Sequence, residues 1–549
     1  MTPETLAEKV LSATRAAFEA LALDAAVLPA VTAVERPRDT KHGDYASNIA
    51  LQTAKKAGTN PRALAEKIAE HLAVHDGVAK VDIAGPGFLN ITLDAAAAGE
   101  IAGKIVAAGS SYGDNDSMAG QHVNLEFVSA NPTGPVHVGG TRWAAVGDAL
   151  ARLMRASGAK VVSEYYFNDA GVQISNFAAS LLASAKGEPV PENGYGGDYI
   201  NEIAQQVLAL RPDALDADDA KEVFRTIGVE LMFAEIKADL TNFGTHFDVY
   251  FNEKDLHDKG ELDAAVARLD QRGHIFESEG ALWLRTTTFG DDKDRPLKKS
   301  NGEWTYFAAD CAYYLDKRER GFDKLVFMFG ADHHGYIGRM QAMSRAFGDE
   351  PGTLEILIGQ MVNLLKDGQP VRMAKRHGNV ITLNDIVGAI GVDAARYVLA
   401  RYSSDSTIDI DIDLWTKHGN DNPVYYVQYA HARVSGVLRN GAERGVELGE
   451  SYDASLLTHP RESDVLKALA EFPAVVASAA ELREPHRVAR YAEELAAAYH
   501  RFQHDCRVLP FPDEEATPVS TARLWLVDAT RVVLANALGM LGVSAPERM

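Results

Sequence analysis

The stretch that decides the fold is residues 124–142, NLEFVSANPTGPVHVGGTR. Where it begins, apolar and polar residues alternate over His122–Val128, which predicts a half-buried strand. Its Asn-Pro-Thr-Gly-Pro centre interrupts regular structure, because proline lacks an N–H donor and asparagine and glycine favour turns. A helix is predicted from His137 to a cap near Gly158, and a second strand over Lys160–Phe167. This βαβ order places free N–H groups and a helix dipole where a phosphate binds well.

The turn that opens this helix has a pattern of its own. It matches neither G-x-G-x-x-G nor the Walker loop, and it places His137 just before Gly139 and Gly140. A neutral imidazole can donate a hydrogen bond to a phosphate oxygen, and glycines let a nucleotide lie close to the backbone. The alternative is a tight strand-to-helix turn with an incidental histidine.

His137-Val138-Gly139-Gly140 resembles the HIGH motif of class I aminoacyl-tRNA synthetases. The preceding residues 126–132, EFVSANP, extend the resemblance to the arginyl enzymes of that class. The resemblance implies that His137, Gly139 and Gly140 bind ATP and take part in catalysis. One position departs from the family, which usually has histidine where this chain has Gly140. The departure removes a second phosphate-contacting imidazole and leaves more room for the nucleotide.

Composition bounds the class of protein. The chain has 549 residues, 46% of them hydrophobic and 24% charged, which is typical of a soluble protein with several domains. A formal net charge of −22 argues against indiscriminate binding to nucleic acid or membranes, but a local basic surface could still bind tRNA. Cys311 and Cys506 are too few for a disulfide framework or a cysteine zinc site. With no secretory signal and no membrane-spanning run, a cytoplasmic protein is expected.

Three domains are predicted. Residues 1–112 form an α+β domain, and residues 113–408 form a Rossmann-like α/β domain with an insertion at about 185–280. Residues 409–549 form a helical bundle, so the fold class is α/β multidomain.

Within the Rossmann-like domain, one amphipathic helix is predicted over Leu256–Arg272. After it, the sheet is expected to resume with the strands Ala281–Thr288, Leu325–Gly330 and Leu354–Met361. From about Ala394 onward the pattern is helical nearly to the end.

A polar set in the first domain comprises Asp44, Tyr45 and Asn48. On spacing alone it reads equally as a turn with a helix cap. The GDYASN stretch and the AGPGFLN turn at 84–90 resemble the extra N-terminal domain of arginyl-tRNA synthetases. That resemblance implies that these three residues contact the elbow of a tRNA.

Three basic side chains lie close together in RMAKR, residues 372–376. Such a loop is most often only a solvated one. In this context it resembles the KMSKS loop of class I synthetases, with Lys375 at the second lysine and Arg376 in place of a serine. The resemblance implies that Lys375 and Arg376 stabilise charge on the ATP phosphates and that Met373 contacts ATP.

Tyr306 and Asp310 are spaced to share one face of a helix. Without the resemblance, Asp310 reads as an acid on a helix surface. The resemblance implies that both bind the substrate guanidinium, and that Glu126 and Asn131 bind the rest of arginine. Glu279 is a further candidate for a second carboxylate.

The turn GADHHG at 330–335 follows a predicted buried strand. A metal site is its alternative reading, but adjacent histidines point apart on regular backbone. The resemblance assigns Gly330, Asp332 and His333 to adenosine and substrate contacts. Gln360, at the end of the next strand, is placed where adenine is held.

The segment 422–433 mixes aromatic and polar residues on a predicted helix. A tyrosine stripe is usually part of a core, although exposed rings also stack on unpaired bases. The segment resembles the helical anticodon-binding domain of arginyl and some other class I synthetases. The resemblance implies RNA contacts at Tyr425, Gln428, Tyr429, Arg433 and the C-terminal Met549.

The resemblance covers nearly the whole chain and implies an arginine–tRNA ligase. Arginine and ATP, accompanied by Mg²⁺, would form arginyl-adenylate, and tRNA(Arg) would then accept the arginine. Adenylate formation is expected to need bound tRNA, zinc is not expected, and a monomer is expected. The alternatives are another class I synthetase, a small-molecule adenylyl- or aminoacyl-transferase, and a tRNA-binding regulator with an inactive site.

Overall fold

The N-terminal part of the molecule is a small sheet covered by helices. The computed structural model describes residues 1–37, 42–371, 381–511 and 513–549. Strands β1, β2 and β3 form an antiparallel sheet in the order β1-β3-β2, and helix α1 packs on α3, so the predicted α+β arrangement is confirmed. The elements are α1 (Pro3–Ala20), β1 (Tyr45–Ser47), α2 (Ile49–Ala54), α3 (Pro61–Leu72), β2 (Val78–Ala84) and β3 (Phe88–Leu93).

Helix α4 (Ala95–Ala108) joins this part to the rest of the chain. Its buried residues Ile101 and Ile105 belong to the large core of the molecule and not to the core of the N-terminal sheet. The helix packs against the last helices of the chain, and the hydroxyl of Tyr452 donates to Gly99 O at 2.6 Å. The N-terminal unit is therefore tied to the C-terminal helices through α4.

A five-stranded parallel sheet forms the centre of the molecule, with strand order β11-β10-β4-β5-β6. Central strand β10 is mostly buried and apolar, as expected of a parallel strand covered on both faces, whereas the buried strand β4 carries the polar residues Asn124 and Glu126. The elements around the sheet are β4 (His122–Glu126), α5 (Val138–Ala156), β5 (Lys160–Phe167), α6 (Gly171–Lys186), α7 (Asp198–Leu210), α8 (Ala220–Asn242), β6 (Val249–Asn252), α9 (Lys254–Asp258), α10 (Glu261–Gln271), β7 (Ile275–Ser278), β8 (Ala281–Leu284), β9 (Arg295–Lys298), α11 (Tyr306–Glu319), β10 (Lys324–Gly330), α12 (Ile337–Ala346) and β11 (Leu354–Gly359).

Two predictions about this region are wrong. The strand predicted at Ala281–Thr288 does not rejoin the parallel sheet, because β8 pairs with β7 and β9 in a separate antiparallel sheet. The fifth strand of the parallel sheet is instead β6, which lies inside the range 185–280 predicted as an insertion. The helix predicted over Leu256–Arg272 is two helices, because Gly260 between them has φ +71°, outside the helical region.

The C-terminal half is a helical bundle, as predicted, preceded by a small sheet. Strand β14 interrupts the helical pattern expected after Ala394 and pairs in parallel with β12. The elements are β12 (Val362–Lys366), β13 (Gln369–Pro370), α13 (Leu383–Ile390), α14 (Val392–Arg401), β14 (Ile408–Asp411), α15 (Ile412–Trp415), α16 (Pro423–Glu443), α17 (Pro460–Glu481), α18 (His486–Asp505) and α19 (Pro518–Met540). None of the described helices is both long and apolar enough to cross a membrane.

A buried arginine connects the bundle to the central sheet. Arg396 of α14 is fully buried and pairs with Asp148 of α5. It also donates to Phe243 O at 2.9 Å and to Leu541 O at 3.2 Å. Because a buried guanidinium needs all its donors satisfied, these contacts fix the helix that begins at His137 relative to the end of the chain.

Candidate active site

A cavity of about 580 Å³ opens at the carboxyl ends of strands β4, β10 and β11, beside helix α11. This is the edge at which open α/β sheets bind ligands. Many of the residues predicted from widely separated stretches line this one cavity. They are Glu126, Asn131, His137, Gly139, Gly140, Tyr306, Asp310, Gly330, His333 and Gln360.

His137 caps the helix that carries the glycine turn. Its backbone is extended, with φ −80° and ψ 167°, and its Nδ1 accepts from the N–H groups of Gly139 at 3.1 Å and Gly140 at 3.4 Å. A ring nitrogen that accepts hydrogen bonds carries no proton, so the neutral ring carries its proton on Nε2. The imidazole therefore satisfies helix N–H groups with one nitrogen and is a donor through the other.

Close packing explains the glycine that departs from the family pattern. A Cβ atom added at Gly140 would lie 3.0 Å from Cγ1 of Val136 and 3.5 Å from Cγ1 of Val128. The first distance is shorter than ordinary van der Waals contact, so Val136 would have to move for a larger side chain to fit. In this chain, the position at which the family usually has a second histidine is a glycine that packs closely against Val136.

The backbone at the end of β4 is strained. Val128 and Ser129 have φ of +68° and +35°, and the N–H of Ser129 donates to Phe127 O at 2.9 Å. Positive φ is unfavourable for a β-branched residue, and such strain is found most often at functional sites. The reversal brings Oγ of Ser129 to 3.2 Å from Oε1 of Glu126, to which it donates.

Helix α11 presents one stripe of side chains to the cavity and to the space beneath it. The spacing 4-3-4-3 puts the stripe on one helix face. Its members are Tyr306, Asp310, Tyr313, Lys317 and, just after the helix, Arg320. Tyr306 stands at the cavity mouth and is 80% exposed, whereas Lys317 is fully buried. Sequence reasoning found only the first two, although the continued spacing was a signal for the other three.

A buried ion cluster lies beneath the cavity and consists of Glu126, Glu164, Lys317 and Arg320. Nζ of Lys317 donates to Oε2 of Glu126 at 2.6 Å and lies 3.4 Å from Oε1 of Glu164. Arg320 donates to both oxygens of Glu164, at 2.7 and 3.0 Å. Burial alone would raise the pKa of Glu164, but Lys317 and Arg320 outweigh it and lower that pKa to about 2.

Asp310 has an unpartnered oxygen in the cavity. Its Oδ2 is shielded from solvent and has no hydrogen-bond partner among the described residues. Burial, together with the negative charge of Glu253, raises the pKa of Asp310 to about 7, although Arg339 acts in the opposite direction. A shielded carboxylate oxygen without a partner is the position that a cationic ligand would fill.

The second carboxylate of this region is Glu253, which sequence reasoning missed. Glu253 lines the cavity, and its Oε2 accepts from the hydroxyl of Tyr166 at 2.6 Å. The residue predicted for this place, Glu279, lies in the exposed turn between β7 and β8 and outside the cavity lining. Glu253 follows β6, the strand that sequence reasoning also missed.

The remaining predicted cavity residues are held by hydrogen bonds and ring contacts. Asn131 donates from Nδ2 to Oε1 of Gln173 at 2.8 Å and accepts from the N–H of Asn168 at 3.0 Å. The carbonyl of Gln360 accepts from the buried Arg142 at 2.7 Å. The ring of His333 lies 5.7 Å from the ring of Phe329.

Part of the predicted ATP site lies outside the described residues. That part comprises the side chain of Asp332 and residues 372–380, with Met373, Lys375 and Arg376. The flanking residue Ile381 is described, and its carbonyl accepts from the N–H of Val138 at 2.8 Å. In the described ranges, no group of three or more His, Cys, Asp or Glu side chains is placed to hold a metal ion.

The predicted RNA contacts of the N-terminal unit need a correction. Tyr45 is 4% exposed and belongs to the apolar core, so its ring is not available to a tRNA. Asp44 pairs with Lys467 of α17 at 2.6 Å and accepts from the N–H of Leu93 at 2.7 Å. Asn48 is exposed at the start of α2. The stretch therefore joins the N-terminal unit to the bundle, and of the three residues Asn48 is the exposed one.

On the bundle, an aromatic pair is half-exposed. The rings of Tyr425 and Tyr429 are stacked, with centroids 5.9 Å apart and planes within 7°, and Arg433 one turn further is exposed. Gln428 needs a correction, because it is buried and donates to Asp393 at 2.8 Å and to Ser544 O at 2.9 Å. Met549 is 55% exposed.

Comparison with known proteins places these features in a family. A model of the arginyl-tRNA synthetase N-terminal domain matches residues 4–93, and a model of the class I tRNA synthetase (R) catalytic domain matches residues 213–411. A model of the DALR anticodon-binding domain matches residues 427–549. The sheet, the cavity and these matches define a class I aminoacyl-tRNA synthetase.

Individual relatives narrow the class. The chain is 60% identical to the arginine–tRNA ligase of Kineococcus radiotolerans over 554 aligned positions, which cover all of both chains. A crystal structure described as an arginyl-tRNA synthetase from Campylobacter jejuni matches with a TM-score of 0.77 and 33% identity, over 83% of this chain and all of that one. The arginyl-tRNA synthetase of Thermus thermophilus shares the fold, with a TM-score of 0.75 and 22% identity over the full length of both chains. The chain therefore belongs to the arginyl-tRNA synthetases and is an aminoacyl-tRNA ligase.

The two roles of His137 can be separated by substitution. His137→Asn keeps an acceptor for the helix N–H groups, whereas His137→Ala removes it and should cost about 1 kcal/mol of stability. Both variants lack the Nε2 donor, so both should lose adenylate formation by about 100-fold or more. Thermal unfolding and ATP–pyrophosphate exchange measure the two effects. An active His137→Asn enzyme would show that the histidine is only a cap.

Proposed function

We propose that the cavity binds arginine and ATP together and that the enzyme makes arginyl-adenylate there before transferring arginine to the 3′-terminal ribose of tRNA(Arg). Adenylate formation requires bound tRNA in this proposal, as the family resemblance implies. The observation that carries the proposal is the shielded, unpartnered Oδ2 of Asp310. A cavity of about 580 Å³ lies within the range of volumes that small-molecule and cofactor sites have.

The carboxylates of the cavity suit a guanidinium group. Asp310 and Glu253 approach from different elements, and Tyr306 stands at the mouth, where its ring can cover the ligand. A planar guanidinium offers several N–H donors to carboxylate oxygens, and its charge lowers the cost of keeping two acids ionised at close range. A neutral or anionic side chain would leave those acids without compensation.

The α-amino end of arginine is assigned to Glu126 and Asn131. Both line the cavity; Glu126 is the last residue of β4, and Asn131 lies in the loop that follows this strand. Glu126 already accepts from Lys317 and Ser129, but a carboxylate has capacity for further donors. The ligand would then extend along the sheet edge, with its carboxylate toward the turn at His137.

The ATP phosphates are assigned to the turn at His137 and to Lys375 and Arg376. The first N–H groups of helix α5 already have acceptors, since Val138 donates to Ile381 O and Gly139 and Gly140 donate to His137. The helix dipole and the Nε2 donor of His137 are therefore what this turn would offer to a phosphate. Gly330, Asp332, His333, Gln360 and Met373 are assigned to the adenosine side. Mg²⁺ would accompany ATP and neutralise phosphate charge, and a zinc ion is not part of the proposal.

The reaction needs positioning and charge stabilisation and no protein nucleophile. The carboxylate of arginine attacks the α-phosphorus of ATP, an O–P bond forms, and pyrophosphate leaves with its electron pair. The terminal ribose hydroxyl then attacks the adenylate carbonyl, and AMP leaves. The donor on Nε2 of His137 can stabilise phosphate charge in the first step.

RNA recognition is assigned to the two ends of the chain. Asn48 would contact RNA from the N-terminal unit. The stacked Tyr425 and Tyr429, with Arg433 and Met549, would contact it from the bundle, where half-exposed rings can stack on anticodon bases.

The proposal includes three domains, 1–112, 113–408 and 409–549, although the packing of α4 favours a first boundary before that helix. The proposal also includes a cytoplasmic location, as expected from the sequence, and a monomeric state, as the family resemblance implies.

Substitution of Asp310 tests the proposed function. Asp310→Asn keeps the side-chain volume and removes the charge, so KM for arginine should rise by about 100-fold or more. Binding of tRNA should stay unchanged, because the residues assigned to RNA recognition, Asn48, Tyr425 and Tyr429, do not line the cavity. Arginine-dependent pyrophosphate exchange and a filter-binding assay for tRNA measure the two. Glu279→Gln is the matched control and should alter KM by less than about twofold, since Glu279 is exposed. An unchanged KM in Asp310→Asn would overturn the assignment.

The pH dependence of arginine use follows from the same residue. The pKa of Asp310 is about 7 without ligand, and a guanidinium binds the ionised form. Below that pH, binding must expel a proton, so kcat/KM for arginine should fall by about tenfold for each further pH unit and level off above pH 8. A profile from pH 5.5 to 8.5 measures this. The dependence should vanish in Asp310→Asn, and a flat wild-type profile would contradict it.

A further inference from the structure

Lys317 is a buried charged residue that touches neither solvent nor the cavity. Its side chain is fully buried on α11, beneath the cavity, and its ammonium group reaches two strands of the parallel sheet. It donates to Oδ1 of Asn124 and to Oε2 of Glu126, both at 2.6 Å. A lysine is rarely buried without a function or a partner, because its desolvation is costly.

The surroundings of Lys317 are built for a cation. Its Nζ lies 4.3 Å from the ring centroid of Tyr313 and 4.4 Å from that of Phe327, within cation–π distance. The hydroxyl of Tyr313 donates to Glu164 at 2.6 Å, so the same ring also binds the ion cluster. The site therefore holds the ammonium group in one place.

Charge balance shows what the ammonium group does for the cavity. Lys317 lies between Glu126 and Glu164, whereas Arg320 pairs with Glu164 and also with Asp316 at 2.8 Å, so Lys317 is the cation that offsets the charge of Glu126. Because Lys317 compensates Glu126, the attraction for a cationic ligand is left to Asp310 and Glu253. Without Lys317, Glu126 would be a third uncompensated carboxylate, and the cavity would take up a proton more readily.

We propose that Lys317 is a positioning residue for arginine: it holds the carboxylate of Glu126 in place, anchors the helix that carries Asp310, and sets the pH at which the cavity accepts a guanidinium. This inference rests on the proposed function of Asp310. Groups from every neighbouring element face Asp310, namely Glu126 of β4, Tyr166 of β5, Glu253 before α9, and Tyr336 and Arg339 at the start of α12.

Three substitutions separate the charge of Lys317 from its bulk. Lys317→Met removes the charge and should raise KM for arginine by about tenfold at pH 7 and shift the profile of kcat/KM to higher pH, whichever carboxylate holds the extra proton. Lys317→Arg keeps the charge and should leave the profile in place. Lys317→Met with Glu126→Gln restores charge balance and should return the profile toward that of wild type. KM for ATP should change by less than about twofold in Lys317→Met, because the cluster lies under the arginine side.

Lys67→Met, at a partly exposed lysine of the N-terminal unit, is the matched control and should leave every parameter unchanged. The proposal is overturned if Lys317→Met keeps the wild-type pH profile, or if KM for ATP rises as much as KM for arginine. If Lys317→Met does not fold, Lys317→Gln decides, because it keeps a hydrogen-bond donor for Glu126 and Asn124 but removes the charge. It should also shift the profile to higher pH, and an unshifted profile contradicts the proposal. The proposed function would still stand in that case if kcat/KM of the wild type depends on pH and this dependence is lost in Asp310→Asn.

Discussion

The contact on which the active site depends is the buried ammonium group of Lys317 between Glu126 and Glu164. It joins α11 to β4 and β5, so it sets how far the stripe of α11 stands from the sheet edge. Removing one partner of a buried ion pair typically costs about 3–5 kcal/mol, which is a large part of the stability of a domain. The cavity is therefore a consequence of this cluster: Asp310 lies about two turns above Lys317 on the same helix face, and Glu126 ends the strand that Lys317 binds.

A second constraint comes from the other end of the cavity. The helix that begins beside His137 is capped by that side chain and is held further along by the pair Asp148–Arg396, which reaches the last residues of the chain. One wall of the cavity is thus set by a helix N-terminus tied to the C-terminal bundle, and the other by a helix tied to the sheet. Direct contacts therefore connect the bundle to one wall of the catalytic cavity. Such a connection suits an enzyme that reacts with the 3′ end of a tRNA while the anticodon lies far from the cavity.

Local sequence pattern predicted the elements whose identity depends on their own residues. The strands β4, β5, β10 and β11 and the helix after His137 were predictable, because alternation, turn residues and caps lie within each segment. The edge strand β6 was not, because four half-buried residues carry too little periodicity, and its place in the sheet depends on pairing with β5. For the same reason β8 was assigned to the wrong sheet. The site residues follow the same division. Asp310 could be predicted from sequence, and the continued helix spacing pointed to Lys317, whereas the position of Glu253 and the burial of Tyr45 and Gln428 depend on tertiary contacts.

The central claim is that two carboxylates in this cavity select a guanidinium. ATP–pyrophosphate exchange with arginine and with citrulline, each with and without tRNA, tests it most directly, because citrulline keeps the shape of arginine and lacks its charge. The account predicts exchange with arginine in the presence of tRNA and none with citrulline. Comparable exchange with citrulline would contradict it, because selectivity for arginine would then not depend on the charges of Asp310 and Glu253.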